Sequence, residues 1–350
     1  GRHPSWAADP LGNGPFMLAA PPAGGWLDAS QIVLVPNPDY AGTAPKIAAA
    51  VLKVIPDVNA AYEAWMKGQV DWAPIPPTAS AHVQTLGKKS FLDDAAGAVD
   101  YLTVGIGSGA AKPGTDPEEL REAISLAINR AVLSEQVFDG AARPARGLVP
   151  PVVPGSASAS GDGPSSCSVC DFQPTQARQL LAQSGIVVTG SIPLVYPAGL
   201  GEDPLMAAIA QDLQQNLGIE VVPTPRAAGA LGSAAGSGAS DVTLEGVSQV
   251  MNYPGADDFL TSLLSSGGGA LLTPADRSSL VEALATARGV VSPAARAAAY
   301  ADAERVAMQG LPVIPLLWPR GIVLARLTRW SFLSMNPFGE PSLATATPKG

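Results

Sequence analysis

The sequence predicts an α/β protein built as two lobes, and three observations carry that expectation. The chain has 350 residues, beyond the roughly 250 to 300 at which a single hydrophobic core stops growing. Its N-terminal part runs strand, strand, helix, strand. Its second half holds a strand, a helix and a strand joined by one crossover, which makes a parallel βαβ unit.

Taken in order, SQIVLVPNPDY reads as a strand closed by a Pro-Asn-Pro-Asp turn, and AAVLKVIP as a second strand stopped by Pro56. Asp57 is placed to cap the helix VNAAYEAWMKG, which sets Ala61, Ala64 and Trp65 on one side and stops at Gly68. QVDWAPIPP follows as a short strand. DPEELREAISLAINRAVLSEQVFDG is expected as one helix: Asp116 caps it, Pro117 opens it, Glu119 completes a capping box and Gly140 ends it. Its apolar stripe is Leu120, Ile124, Ala127, Ile128 and Ala131.

The Pro-, Gly- and Ser-rich GLVPPVVPGSASASGDGPSSC is expected to be a surface excursion without regular structure or function. PTQARQLLAQSG is a short helix and SIPLVYP a strand. DPLMAAIAQDLQQNLG is a helix with Leu205, Ile209, Leu213 and Leu217 aligned, and IEVVP the next strand. RAAGALGSAAGSGAS lacks the lysine of a phosphate loop and is read as a flexible loop or frayed helix. DVTLEGVSQVM is a strand leading into NYPGADDFLTSLLSS. TPADRSSLVEALATARG and SPAARAAAYADAERVAMQG are helices, and PVIPLLWP and GIVLARL two closing strands.

Composition narrows the function. A net charge of −9 argues against nucleic acid, whose binders carry clustered positive charge. The longest apolar run, GLPVIPLLWPRGIVLA, is cut by three prolines and Arg320 and is no membrane helix. His3 and His82 are the only histidines, which leaves few residues for zinc sites or histidine-dependent catalysis. No G-x-S-x-G elbow accompanies His82, so it is read as a surface imidazole. No cofactor is expected.

Cys167 and Cys170 form CSVC, which admits a structural disulfide, a redox pair or half a metal site. The first is favoured, because Asp171 follows where haem attachment needs His, and no second cysteine pair exists. The start, GRHPSWAADPLGNGPF, shows no initiator Met, signal peptide or lipid-attachment Cys, so a processed or truncated product is expected.

An ordered set of landmarks spans the chain: GNGPF, IVLVPNPDYAG, DVNAAYEAWMKGQVDWAPI, YLTVGIG, LREAISLAINRAVLSEQVFDGAARPARGLVPP, DFQPTQARQLLAQSG, LVYP, DLQQNLGIEV, NYPGADDFL, AERVAMQGLPVIPLLWP and NPFG. Together they resemble the dipeptide and oligopeptide receptors of ABC importers. The resemblance implies a two-lobed periplasmic-binding-protein-like fold, type II, of the large peptide-binding class. It assigns residues 1–104 to lobe I, 105–310 to lobe II and 311–350 to the return into lobe I, with the N-terminal part of lobe I missing. Crossings are expected near Thr103 to Gly107 and Gly310 to Pro315. It further implies a monomeric receptor, held periplasmically or by a lipid anchor outside the cytoplasmic membrane, which encloses a short peptide between its lobes and hands it to a permease. Such a receptor is not an enzyme. The alternative keeps the scaffold and changes the cargo to a glycoconjugate, metal chelate or haem-like molecule.

In the resembled family a strand followed by a motif like ADYPDPDNF pairs with the peptide backbone, and the first Asp takes its ammonium group. The candidate ligand-facing residues carried over are therefore Ser248, Gln249, Val250, Met251, Asn252, Tyr253 and Asp257, with Gly105 and Tyr196 at strand ends. Asn252 stands where the amine-binding carboxylate would be, so either Asp257 or Asp258 substitutes or the ligand differs. An aspartate at 252 is expected to tighten capture of free amino termini. Of the two carboxylates, one is expected to cap the following helix.

Overall fold

The computed structural model describes residues 12–19, 30–107, 110, 112–159, 167–188, 190–227, 242–265, 272–336 and 338–350. The glycine-rich stretch 228–241 lies outside the described residues. The chain divides into two compact units, one of Gly1–Asp94 with Ile322–Gly350, the other of Ala95–Gly321. This division leaves the first unit ahead of the crossing expected near Thr103 to Gly107 and re-enters it beyond Gly310 to Pro315.

The first unit opens with β1 (Phe16–Leu18), β2 (Gln31–Pro36) and β3 (Ala50–Lys53), an antiparallel sheet in that order. The turn after β2 forms because Asn37 Oδ1 accepts the Asp39 N–H at 3.0 Å, an Asx turn. Helix α1 (Val58–Met66) starts where Asp57 accepts the Ala60 N–H at 2.8 Å, and it buries Ala61, Ala64 and Trp65. Strand β4 (Trp72–Pro74), helix α2 (Ser80–Thr85) and β5 (Phe91–Ala95) follow.

The second unit begins with β6 (Ala98–Ile106). The long helix expected next is two, α3 (Pro117–Ala127) and α4 (Arg130–Phe138). Ile128 is extended, and Asn129 restarts the helix by accepting the Val132 N–H at 3.2 Å while its own N–H donates to Asp212 at 2.8 Å. The restart rotates Ala131 out of the expected stripe, and it is exposed. Strand β7 (Ala142–Pro144) precedes the Pro/Ser-rich segment, which is no surface excursion over its described residues: Leu148, Val149, Val153, Ser156, Ala157 and Ser158 are buried. Their burial is possible because the fully buried Glu304 accepts the N–H groups of Val149 at 3.0 Å and Ala157 at 2.8 Å, which relieves the cost of unpaired main-chain groups.

The remaining elements are α5 (Pro174–Gln183), β8 (Ile192–Pro197), α6 (Asp203–Leu217), β9 (Val221–Arg226), β10 (Val242–Val250), α7 (Ala256–Ser265), α8 (Pro274–Gly289), α9 (Pro293–Ala307) and β11 (Ile314–Ala325). β8 and β9 are parallel from Ile192↔Val221 to Pro197↔Arg226, as the βαβ pattern requires. The strand order in this unit is β11, β6, β10, β8, β9. The two closing strands expected from the sequence are one, since β11 runs on through Pro319-Arg320-Gly321. Its first part pairs with β6 and β7, where Pro319 sits on the β7 side. Back in the first unit, Val323–Ala325 pairs with β4, and β12 (Trp330–Ser331) pairs with β13 (Thr347–Pro348). Cys167 and Cys170 are disulfide-bonded, Cα to Cα 5.5 Å, and both are buried.

Candidate functional site

The candidate segment is the end of β10 and the turn after it. β10 pairs antiparallel with β6 along its length, from Val242↔Ile106 to Val250↔Ala98. On its other edge it meets β8 only at Leu244 and Glu245. From Gly246 onward, no strand among the described residues pairs with that second edge. Beyond β10 the ladder to the β6 side continues with the Met251 N–H donating to the Gly97 carbonyl at 2.8 Å. Main-chain groups alternate sides along a strand, so Met251, Gln249 and Val247 point theirs at β6. Ser248 and Val250 therefore present both N–H and C=O to the open edge, and Gly246, whose N–H is taken by β8 in the Glu245↔Val195 register, presents its C=O.

The side chains sort the same way. Ser248, Val250, Asn252 and Tyr253 are exposed, Gln249 is half-buried and Met251 buried. Gln249 accepts a hydrogen bond from the Ser262 hydroxyl of α7 at 3.1 Å. Gly246 has no room for a side chain: a Cβ there would lie 2.7 Å from Met206 Cε and 3.5 Å from Tyr196 Cβ. Tyr196 itself is 2 % exposed and donates its hydroxyl to Asp203 at 2.8 Å, so it packs beneath β10. Gly105 sits opposite Thr243, whose Oγ1 would be 2.5 Å from a Cβ. It is at the far end of β6 from Ala98, the partner of Val250, and the structure does not bring it to the Ser248–Tyr253 segment.

Both carboxylates of NYPGADDF lie in the first turn of α7, inside the helix rather than at its cap. Asp258, 8 % exposed, accepts the Asn252 main-chain N–H at 2.5 Å and its side-chain Nδ2 at 3.2 Å. Asp257 accepts Arg288 Nε at 2.7 Å and Nη2 at 3.0 Å, the Tyr253 hydroxyl at 2.9 Å and the Tyr300 hydroxyl at 3.1 Å. Burial alone would raise the Asp257 carboxyl, but the Arg288 guanidinium and the two tyrosine hydroxyls outweigh it and hold it below the ordinary range. Internal donors thus engage both groups, and neither offers a vacant carboxylate to an ammonium. Arg288 and Tyr300 were not among the expected site residues, because nothing local to α8 or α9 marks them.

A second group also escaped sequence reading. Asp100 of β6 stands opposite Ser248, is 8 % exposed and carries a hydrogen bond to the Ser248 side chain. Burial pushes its carboxyl up to about 6, against the lowering effect of Ser248. Glu202, just before α6, is pushed up to about 7 by burial, then by the charges of Asp100 and Asp203. The only signal for Asp100 in the sequence is an acid inside the apolar strand AVDYLTVGI. A hollow of about 750 Å³ lies elsewhere, in the first unit, walled mainly by apolar groups such as Leu52, Trp72, Trp330 and Leu343; it has no share in the strand edge. Among the described residues no cluster of three or more His, Cys, Asp or Glu could hold a metal, and no helix is long and apolar enough to cross a membrane.

The fold is that of the two-unit α/β solute-binding proteins. It resembles the murein tripeptide binding protein MppA of Escherichia coli with a TM-score of 0.75, at 21% identity, covering 99% of this chain and 66% of that one. It also resembles the periplasmic binding protein DppA of Helicobacter pylori, solved with the peptide STSA, with a TM-score of 0.73 at 18% identity over 96% and 63% of the two chains. Residues 4–270 match the model of the bacterial extracellular solute-binding proteins, family 5 Middle, and the chain belongs to that family of solute receptors. Among curated relatives, di/tripeptide-binding protein 2 of Pseudomonas aeruginosa is 26% identical over 319 residues, 89% of this chain and 56% of that protein. The chain therefore spans little more than half the length of that relative.

Proposed function

We propose that this protein is the substrate-binding receptor of an ABC importer and captures short peptides, without chemistry on the ligand, for delivery to a membrane permease. The reading places it outside the cytoplasmic membrane, periplasmic or lipid-anchored, as a monomer. The observation that carries it is the open edge of β10, where Ser248 and Val250 offer main-chain donors and acceptors. An extended peptide pairs with such an edge whatever its side chains, since every residue brings the same N–H and C=O. Exposure of Ser248, Val250, Asn252 and Tyr253 leaves the flank of that edge open to a guest. Met251 and Gln249 hold the strand from its other side, and Asp257 serves by fixing Tyr253.

One observation favours a second cargo. Asn252 is neutral and both neighbouring carboxylates are engaged, which suits a non-peptide solute such as a glycoconjugate or metal chelate. Native mass spectrometry of the protein purified from its own cell envelope separates the two. A ladder of short peptide masses is expected; a single non-peptide mass overturns the peptide reading.

A further inference from the structure

Main-chain pairing leaves one thing unsettled: what meets a positive charge on the guest. Asn252, Asp257 and Asp258 have been accounted for, so any counter-charge beside the open edge must come from another element. Side chains at Gly246, Ser248 and Val250 share one face of β10. On that face β6 sets Asp100 directly across from Ser248. The start of α6 reaches the same place, because Met206 and Tyr196 fill the space over Gly246. There Glu202 has its Oε2 wholly shut off from solvent with no hydrogen-bond partner.

Among the described residues no lysine or arginine forms an ion pair with Asp100 or Glu202. The titratable groups beside them add negative charge or none: Asp203 and the Tyr196 hydroxyl bound to it. A carboxylate oxygen buried without partner or cation is costly, and such an arrangement is completed when a ligand brings the missing charge.

We propose that Glu202, reinforced by Asp100, is the acceptor for a cationic group of the guest, so that the receptor selects peptides bearing an ammonium or guanidinium group beside Ser248. The inference rests on the peptide reading above and assigns its specificity. Glu202 touches the cation; Asp100 is a positioning residue that deepens the negative potential and holds Ser248. The cation is either the peptide's α-ammonium or a basic side chain, and both share the chemistry the two carboxylates recognise.

Calorimetric titration of the intact protein, above the Glu202 value of about 7, tests this with four probes: Ala-Ala-Ala, Ala-Lys-Ala and the N-acetylated form of each. Acetylated Ala-Lys-Ala binding about tenfold tighter than acetylated Ala-Ala-Ala identifies a side-chain cation. A similar loss on acetylating Ala-Ala-Ala identifies the α-ammonium. Either preference should collapse in Glu202→Gln, which keeps shape and removes charge, while acetylated Ala-Ala-Ala, which carries no cation, does not bind more weakly than to the parent. The wild-type series stands as evidence even if that variant folds poorly. Equal affinity for all four probes overturns this inference and leaves the peptide reading intact, as does an unchanged preference in Glu202→Gln. Binding of none of the four overturns both.

Discussion

Asn252 and Asp258 are joined twice, main-chain N–H to Oδ2 at 2.5 Å and Nδ2 to Oδ1 at 3.2 Å. The turn Tyr253-Pro254-Gly255 is thereby closed by one side chain, and the amide at 252 is used as a donor. An aspartate there has no proton to donate and faces a second carboxylate at close range. The sequence alone suggests that Asn252→Asp tightens capture of free amino termini; the geometry sets a loss of stability beside that expectation. Asn252→Asp should lower stability at pH 7 by about 2 kcal/mol, the worth of a hydrogen bond to a charged acceptor. Most of it should return as pH falls and one of the pair takes a proton. Urea midpoints of both proteins at neutral and acid pH check this, and a variant as stable as the parent at pH 7 would sink it.

Asp100 yields a pH prediction of the opposite sign to that of an ordinary salt-bridged acid. Its folded-state value of about 6 lies above the ordinary 3.8, so the native state holds the proton more tightly than the unfolded chain. The cost of ionising it is absent below about pH 4 and fully present above about pH 6, and stability should fall as pH rises through that window. Asp100→Asn keeps a partner for Ser248 and removes the cost. It should flatten the acid-side slope and stabilise the protein at pH 8 by up to about 3 kcal/mol. Denaturant titrations at several pH values read both effects; an unchanged slope would mean that the carboxylate is solvated.

How much of this was legible depends on the distance over which each feature is decided. The caps Asp57 and Asp116 were readable because each bonds N–H groups two or three residues on. The break at Ile128 was not, because apolar spacing continues across it and the competing cue, Asn129, gains a partner in Asp212, 83 residues away. The burial of Val149 and Ala157 depends on Glu304, 155 and 147 residues away. The site divides likewise. Period-two alternation places Ser248 and Val250 on one face without any tertiary information. The engagement of Asp257 comes from Arg288 and Tyr300, on two later helices, and no pattern local to NYPGADDF announces it. The free edge itself is a statement about where β8 stops, which lies wholly outside the β10 sequence.

The CSVC pair gives a prediction that separates its readings. Cys167 and Cys170 are 4% and 5% exposed, so an attacking thiolate has little access. The Cys170 carbonyl accepts Arg130 Nη1 at 2.9 Å, and the same guanidinium serves the carbonyls of Ser125 at 2.9 Å and Pro315 at 2.7 Å. The disulfide thus holds one acceptor of a buried cation in place. Changing both cysteines to serine should cost about 2 kcal/mol, the chain-entropy worth of so short a loop, with peptide affinity unchanged. A large loss of affinity at unchanged stability would favour the redox or metal reading instead.

Proline scanning of β10 tests the strand edge directly, because it removes one N–H at a time. The Val247 N–H points at β6, where Val247 is paired with Tyr101; Val247→Pro deletes a ladder bond in mid-sheet and should destabilise the fold by about 3 kcal/mol or more. The Val250 N–H points away from β6, and proline is tolerated on a strand whose N–H faces outward. Val250→Pro should therefore fold with a denaturation midpoint close to the parent and bind peptides about tenfold more weakly, the worth of roughly one well-made hydrogen bond in a dry site. Calorimetry gives the affinity and urea titration the stability. The contrast between two positions three residues apart is what the open edge demands. If Val250→Pro binds like the parent, the guest is held by side chains alone and the main-chain account of recognition fails.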